Sequence, residues 1–595
     1  MKTLSQNLLN HVRLTGKPQL LAILVLTVCP CEPFFGADLH PEQPRTPEQS
    51  AAMVYGRYEL LLDMDDEQRR VYLFVQDGQV DRGLITGERS GRFYALDNRW
   101  GDDFRQLKLA DGRIAGTIRR VRGVTESFDI SADVNEGNIR GTFTGVAVVG
   151  GKLRESIAGK VTGEFLNEQQ LKQRFSIASG HDWPAWSGPG LNFHASPGEN
   201  QLVSHLDEAR LIWRSEPTPP ARSQDARYGF TDLRKPTGGT ASPIVADGIV
   251  FMTWFVPSGE VADQWTLERI RNNAAARIKK EGREPTAEEL AKAVQSVRHQ
   301  WRIAADDVVL AIDAATGKTL WKRVFEDAGI NWPMTKTRSW NRTPCAANGI
   351  VFVQGSLPRI YALDAKTGRN VWNAELPAYA TMKAAKEASL KSGNRNGKEL
   401  RGSAVAGLVV VGETLVCPDW RNGLVGLSLA DGRQLWHLSG YTIGRNATPS
   451  RWTHQSKQYV IAPSSHSEQG RLTCIDPVDG RIVWSHTTVA PNHTSVCISG
   501  DILVAKSSLE AAPASAVGKT DQYTIMAAYR LGLDGPKQIW SLKEQGFHWD
   551  EETPALANGH VYAQLNPNTL ACIELESGKF VSREQVGVGG GDACL

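Results

Sequence analysis

The chain has 595 residues, 41% apolar and 22% charged, enough to bury a sizeable core and too apolar for intrinsic disorder. Its 67 Lys and Arg against 65 Asp and Glu leave a net charge of +2, which argues against a dedicated nucleic-acid binder with its basic excess. A content of 56 Gly and 17 Trp favours short strands, tight turns and large buried rings over a mainly helical fold.

The first 37 residues read as a targeting segment. Lys2, His11, Arg13 and Lys17 form a basic start, and the apolar run Leu20–Val28 follows. That run is far short of the roughly 20 residues of a membrane span and suits a signal-peptide core; a buried strand or helix is the alternative. Leu26-Thr27-Val28-Cys29 matches a lipoprotein box only loosely, because Val28 is larger than the usual small residue. Peripheral membrane association through a lipid anchor therefore stays open. No later stretch is long and apolar enough to cross a bilayer, so the expectation is an exported chain of the periplasm, the cell envelope or the extracellular space.

Residues 52–166 read as a separate β unit. Three copies of a short pattern, Gly112–Ile118, Gly137–Phe143 and Gly159–Phe165, alternate apolar and polar positions around spaced glycines. Tyr58–Leu62 and Arg70–Val75 add two strands, giving a small meander, sandwich or barrel. Residues 167–204 form a linker, with a short helix near Asn167–Ile177 and the Trp-rich lead-in Asp182-Trp183-Pro184-Ala185-Trp186-Ser187-Gly188-Pro189.

From residue 205 to 595 the chain repeats itself. VVLAIDAATGKTLWKRV around Asp313 is followed by RIYALDAKTGRNVWNAEL, LVGLSLADGRQLWHL, LTCIDPVDGRIVWSH, AAYRLGLDGPKQIWSL and LACIELESGKFVSRE. Each copy is a strand, a tight Gly turn and a second strand that carries a Trp: Trp321, Trp372, Trp436, Trp484 and Trp540, with Ser582 in the last. A further apolar hairpin precedes each copy, so each unit is four antiparallel strands. The expected fold class is all-β, a β-propeller with six recognisable blades. Leu211–Arg214 reads as an outer strand with Trp213 at the Trp position, and Val586–Leu595 as the start of another innermost strand. A seventh blade is then incomplete, and a gap or a poorly packed last blade is expected. Residues 261–302 interrupt blade one as a helical hairpin, with helices near Gln264–Lys280 and after the capping box of Thr286 and Glu289. It is either a docking arm or lid, or a solvated decoration.

Of eight cysteines, Cys345, Cys417, Cys474, Cys497, Cys572 and Cys594 lie beyond the leader. None forms a CxxC pair, so no zinc or thioredoxin-like site is expected. They read as mostly free, buried thiols, with paired disulfides the alternative in an oxidising compartment.

At these repeats the chain resembles the pyrroloquinoline-quinone-like (PQQ-like, quinoprotein-like) propeller repeat family of bacterial exported proteins, over about residues 240–582. The lead-in at Asp182–Pro189 is similar to one common among such members. For the quinone-dependent alcohol dehydrogenases of that family, the resemblance implies a calcium held by a carboxylate and amides, a catalytic Asp, a Trp under the quinone and a vicinal disulfide over it. This chain has no Cys-Cys dipeptide. Trp340-Asn341-Arg342 and Trp549-Asp550-Glu551 offer residue types without a matching motif, so no catalytic residue and no metal ligand is assigned. PQQ and calcium are the cofactors left open. Candidate ligand-binding residues are those entering each innermost strand near the axis: Asn341, Arg342, Arg401, Arg445, His493, Asp550 and Glu551, with Thr240 in blade one. They would suit an anionic small molecule or a peptide, or else be solvated loop polarity. The sequence favours a non-enzymatic binding or scaffold protein of the envelope, partnered by an envelope protein or a small molecule. The alternative is a quinone-dependent alcohol or sugar oxidoreductase with its cofactor on the axis.

Overall fold

A computed structural model describes residues 55–64, 67–76, 79–85, 102–103, 106–110, 112–122, 124–149, 152–176, 182–194, 211–215, 241–259, 264–297, 303–331, 342–392, 407–419, 423–441, 443, 447–466, 469–487, 495–510, 522–545, 553–566 and 569–585. The leader expected over residues 1–37 and the segment Val586–Leu595 lie outside the described residues.

The N-terminal unit is one nine-stranded antiparallel sheet. Its strands are β1 (Gly56–Met64), β2 (Glu67–Gln76), β3 (Gln79–Ile85), β4 (Asp102–Asp103), β5 (Lys108–Ala110), β6 (Arg113–Arg122), β7 (Val124–Asn135), β8 (Asn138–Val149) and β9 (Lys152–Asn167). Their order is β3-β2-β1-β9-β8-β7-β6-β4, with β5 also on β6. β3 meets β4 and β5, so the sheet curls back on itself. The concave side is filled by Leu60, Leu62, Val71, Leu73, Ile118, Phe128, Phe143 and Val161. The spaced glycines are close-approach points: a Cβ at Gly141 would stand 2.2 Å from Ser131 O, and one at Gly163 2.1 Å from Glu59 O. Only glycine lets neighbouring strands coil this tightly. Helix α1 (Glu168–Phe175) follows, and Asn167 and Gln170 close a reciprocal capping box at its start.

Six four-stranded antiparallel sheets follow, each pairing its strands in sequence order. Their innermost strands are Ile244–Ala246, Cys345–Ala347, Val409–Val411, Ser450–His454, Cys497–Ser499 and Ala555–Ala557, and adjoin one another from blade one through blade six. Successive side chains on each strand face opposite neighbours. In blade one Phe251 packs toward blade two with Val351 and Tyr361, while Val250, Met252 and Trp254 face the other way. This is a β-propeller. Among the described residues there are six blades and no seventh. Leu211–Arg214, expected as an outer strand, has no strand pairing, although Trp213 stands at the expected place.

Blade one carries the helical hairpin α2 (Gln264–Lys280) and α3 (Ala287–Val297) between its second and third strands. Thr286 Oγ1 accepts from Glu289 N, and Glu289 accepts from Thr286 N, so the expected capping box forms. The described cysteines Cys345, Cys417, Cys474, Cys497 and Cys572 are all free thiols, and only Cys572 is partly exposed. Burial pushes the Cys345 thiol up to about 12, which makes it an inert core group.

Candidate functional site

The repeated tryptophans sit at the seams between blades. Trp213 Nε1 donates to Ala314 O (2.6 Å), Trp321 to Ala365 O (3.0 Å), Trp372 to Leu429 O (2.9 Å), Trp436 to Pro477 O (2.8 Å) and Trp540 to Leu575 O (2.8 Å). Each acceptor lies in the hairpin turn of the next blade, beside the turn glycine against which the indole packs. The Asp-x-x-Thr-Gly sequence shapes that turn: Asp364 Oδ1 accepts from Thr367 N and Oγ1, and Gly368 N donates to Asp364 O. Trp484 is the exception. Blade five spends one more residue between its glycine and Trp540, its Gly535 faces His486, and the buried Trp484 Nε1 has no partner.

The axis is crossed by the chain itself. The lead-in Asp182–His194 runs over the innermost strands and meets all six blades. Trp183 and Val245 exchange backbone hydrogen bonds on blade one (2.8 and 2.9 Å), and Ala346 N donates to Pro184 O on blade two (2.8 Å). Trp186 packs beside Gly407, at the entrance to blade three. Arg451 N donates to Leu191 O on blade four and Ile498 N to Asn192 O on blade five, both at 2.8 Å. Leu556 N donates to Phe193 O on blade six, where His194 forms a parallel bridge to Leu556. Ala185 and Ser187 are fully buried. Leu191 and Phe193 hold positive φ of 54° and 58°, a conformation costing about 1–3 kcal/mol each that persists only where the surroundings enforce it.

Of the candidate axis residues, Arg342 alone lies among those described; Thr240, Asn341, Arg401, Arg445, His493, Asp550 and Glu551 lie outside them. Arg342 is buried at the seam of blades two and three, where Nη1 donates to Pro418 O (2.6 Å) beside Gln354 Nε2 on the same carbonyl (3.3 Å). Burial pulls its guanidinium down to about 10, partly offset by Cys417 and Asp419. Asp419 Oδ1 accepts from Ala378 N (3.1 Å), and Oδ2 is 3.6 Å from His437 Nε2. This arrangement locks the corner where blade three turns back.

A second buried polar seam escaped the sequence reading. Asp307 of blade one accepts at Oδ1 from Ser356 N (3.0 Å) and Ser356 Oγ (2.7 Å) of blade two, and Ser356 Oγ in turn accepts from Ile330 N. Burial raises the Asp307 carboxyl to about 6, with the Ser356 bonds and Lys386 opposing and Asp306 adding to the rise. Neither Asp307 nor Asp419 recurs in the other repeats, so periodicity carried no signal for them.

A quinone and calcium do not fit what is described of the axis. Lead-in backbone occupies the hydrogen-bonding groups of the innermost strands of five blades, and its Ala185 and Ser187 are fully buried. The cleft beside it, lined by Asp182, Pro184, Asp247, Ala347 and Asn348, measures about 170 Å³, below the roughly 300 Å³ where small-molecule sites begin. Among the described residues no three His, Cys, Asp or Glu side chains stand together for a metal ion.

Comparison with known proteins places the propeller. The family model described as outer membrane protein assembly factor BamB matches residues 305–584. Quinoprotein ethanol dehydrogenase of Pseudomonas putida is 30% identical over 148 residues, which is 23% of this chain and 21% of that one. The chain thus spans about a fifth of the length of that relative. Among solved structures, BamB from Moraxella catarrhalis aligns at 16% identity over 48% of this chain and 73% of its own, with a TM-score of 0.32. Quinohemoprotein alcohol dehydrogenase from Comamonas testosteroni aligns at 12% identity over 71% and 76%, with a TM-score of 0.37.

Proposed function

We propose, from the membership of this chain in the PQQ-like propeller repeat family, that it is an exported, non-enzymatic binding or scaffold protein of the bacterial envelope, engaging an envelope protein or a small molecule through its inter-blade loops. The observation that carries the reading is the lead-in across the axis. A propeller whose innermost strands spend their inward N–H groups on the chain's own Asp182–His194 keeps that level for itself. What remains for a partner is the loops and the outer surfaces of the blades. The family's fold serves unrelated activities, so the reading rests on this site and not on the fold. No nucleic-acid partner is proposed, in keeping with the net charge of +2.

One observation favours a second reading, a quinone-dependent alcohol or sugar oxidoreductase: the 148-residue match to a quinoprotein ethanol dehydrogenase. A single experiment separates the two. The purified full chain is titrated with pyrroloquinoline quinone and calcium chloride, and absorbance and dye reduction with primary alcohols and sugars are recorded. The scaffold reading expects the spectrum of free quinone and no substrate-dependent reduction. A bound-quinone spectrum with alcohol-dependent dye reduction overturns it.

A further inference from the structure

The six blades form a series with two ends, and the two ends differ. Blade one's outward face, Val250, Met252, Trp254, Val308, Leu310 and Ile312, is buried beneath Trp213 and beneath Tyr72 and Phe74 of strand β2. The N-terminal sheet therefore occupies the side on which a preceding blade would lie. Polar contacts bolt it there: Tyr55 Oη donates to Thr316 O (2.9 Å), and Arg57 Nη1 donates to Leu211 O (2.8 Å) and Ile212 O (3.0 Å). Lys318 Nζ pairs with Glu168 of α1 at 2.9 Å. At the other end, blade six has Ser582 in place of the wedge Trp, its Tyr562, Leu570 and Cys572 are only partly buried, and Val581 is 60% exposed. The corresponding positions of blade five, Met526, Ala528 and Trp540, are buried against blade six.

We infer that the blades are held together by the chain that precedes them: the Asp182–His194 strap fastens five of the six through their innermost strands and touches the third at Gly407, and the N-terminal β sheet seals the flank of blade one. The seams alone form a linear chain of neighbours, in which damage at one seam is felt at the adjoining blades. The strap runs from blade one to blade six, and its carbonyls at Trp183, Pro184, Leu191, Asn192 and Phe193 receive N–H groups from five of the blades. Loosening it must therefore loosen the blades together. The strained backbone at Leu191 and Phe193 fits this role, since strain of that kind is held in place by the partners it docks on.

Hydrogen exchange followed by mass spectrometry on the full chain tests this. Leu191→Ala removes a buried side chain and leaves the positive φ in place. It is expected to speed exchange about tenfold or more, the factor for losing a buried leucine, in the innermost strands of blades one, five and six as well as blade four. Phe74→Ala is expected to do the same within Ile249–Pro257 and Ala304–Asp313 of blade one, leaving blades three to five unchanged. The inference is overturned if Leu191→Ala affects only Ser450–His454 and its sequence neighbours, or if Phe74→Ala leaves blade one unchanged. Should Leu191→Ala fail to fold, Asn192→Ala removes only the Asn192 Oδ1 bond to His194 N. It must still raise exchange in blades five and six together, and a response confined to one of them refutes the inference.

Discussion

Replacing Gly432 by alanine tests the tryptophan seam, the contact on which blade-to-blade packing rests. Gly432 has φ of +71°, and a Cβ there would stand 2.4 Å from Trp372 Cε3 and 2.8 Å from its Cδ2 and Cζ3. An alanine first costs about 1 kcal/mol for the left-handed backbone. It must then displace the indole, which gives up the Nε1 bond to Leu429 O and strands a buried donor, for about another 1–3 kcal/mol. Gly412, in the same blade, has φ of +60° and nothing within 4 Å of its Cβ position. Gly412→Ala therefore carries the backbone cost alone, about 1 kcal/mol. Urea denaturation of the two variants, with hydrogen exchange locating the effect, should show Gly432→Ala weaker by about 1–3 kcal/mol. The added exchange should fall at Asn370–Glu375 and the blade-three turn. In a Trp372→Leu background the alanine should cost only its backbone share, the non-additivity expected of groups in contact. Equal losses at Gly412 and Gly432, or full additivity with Trp372→Leu, would refute the reasoning.

Other outcomes follow from the remaining seams. Asp307 is raised to about 6 in the folded chain against an ordinary 3.8, so the fold prefers it protonated. Its share of stability is full below about pH 4 and is lost as pH rises through 6, up to about 3 kcal/mol by pH 8. Asp307→Asn, which keeps an acceptor for Ser356, should raise the melting temperature at pH 8 and have little effect at pH 4; a loss at pH 8 would count against the assignment. Trp436→Phe should cost about 1 kcal/mol for its bond to Pro477 O. Trp484→Phe, which removes a buried donor without a partner, should cost less in the same melts; the reverse ranking would show that the indole N–H contributes nothing. Maleimide labelling of the native chain read by peptide mapping should modify Cys572 ahead of Cys345, Cys417, Cys474 and Cys497, because it alone of these five is partly exposed; early labelling of Cys497 would contradict its burial.

Much of the architecture was written in local pattern. The strand–turn–strand unit, the Asp-x-x-Thr-Gly turn, the Trp position and the capping box at Thr286 each depend on residues within a few positions of one another, where backbone preference and side-chain spacing decide the conformation. The glycines spaced through the N-terminal sheet were equally legible, since a repeated Gly in an amphipathic strand signals close approach. The candidate site was not. Arg342 reads as an axis-loop cation in sequence, yet its side chain reaches the Pro418 carbonyl 76 residues away and is buried between blades. The lead-in Asp182–His194 reads as a linker with two tryptophans, and nothing in its composition says that it spans the axis.

What the sequence determined by itself is the repeating unit, and with it the all-β class, because each blade is built from strands consecutive in the chain, paired in sequence order. Which side of blade one is covered, what crosses the axis, and which carboxylates lose their water at the seams were decided only by tertiary structure. Those contacts join Tyr55 to Thr316, Asp307 to Ser356 and Phe193 to Leu556. Such pairs are chosen by shape and hydrogen-bond satisfaction across the assembled blades, and leave no periodic trace in the chain.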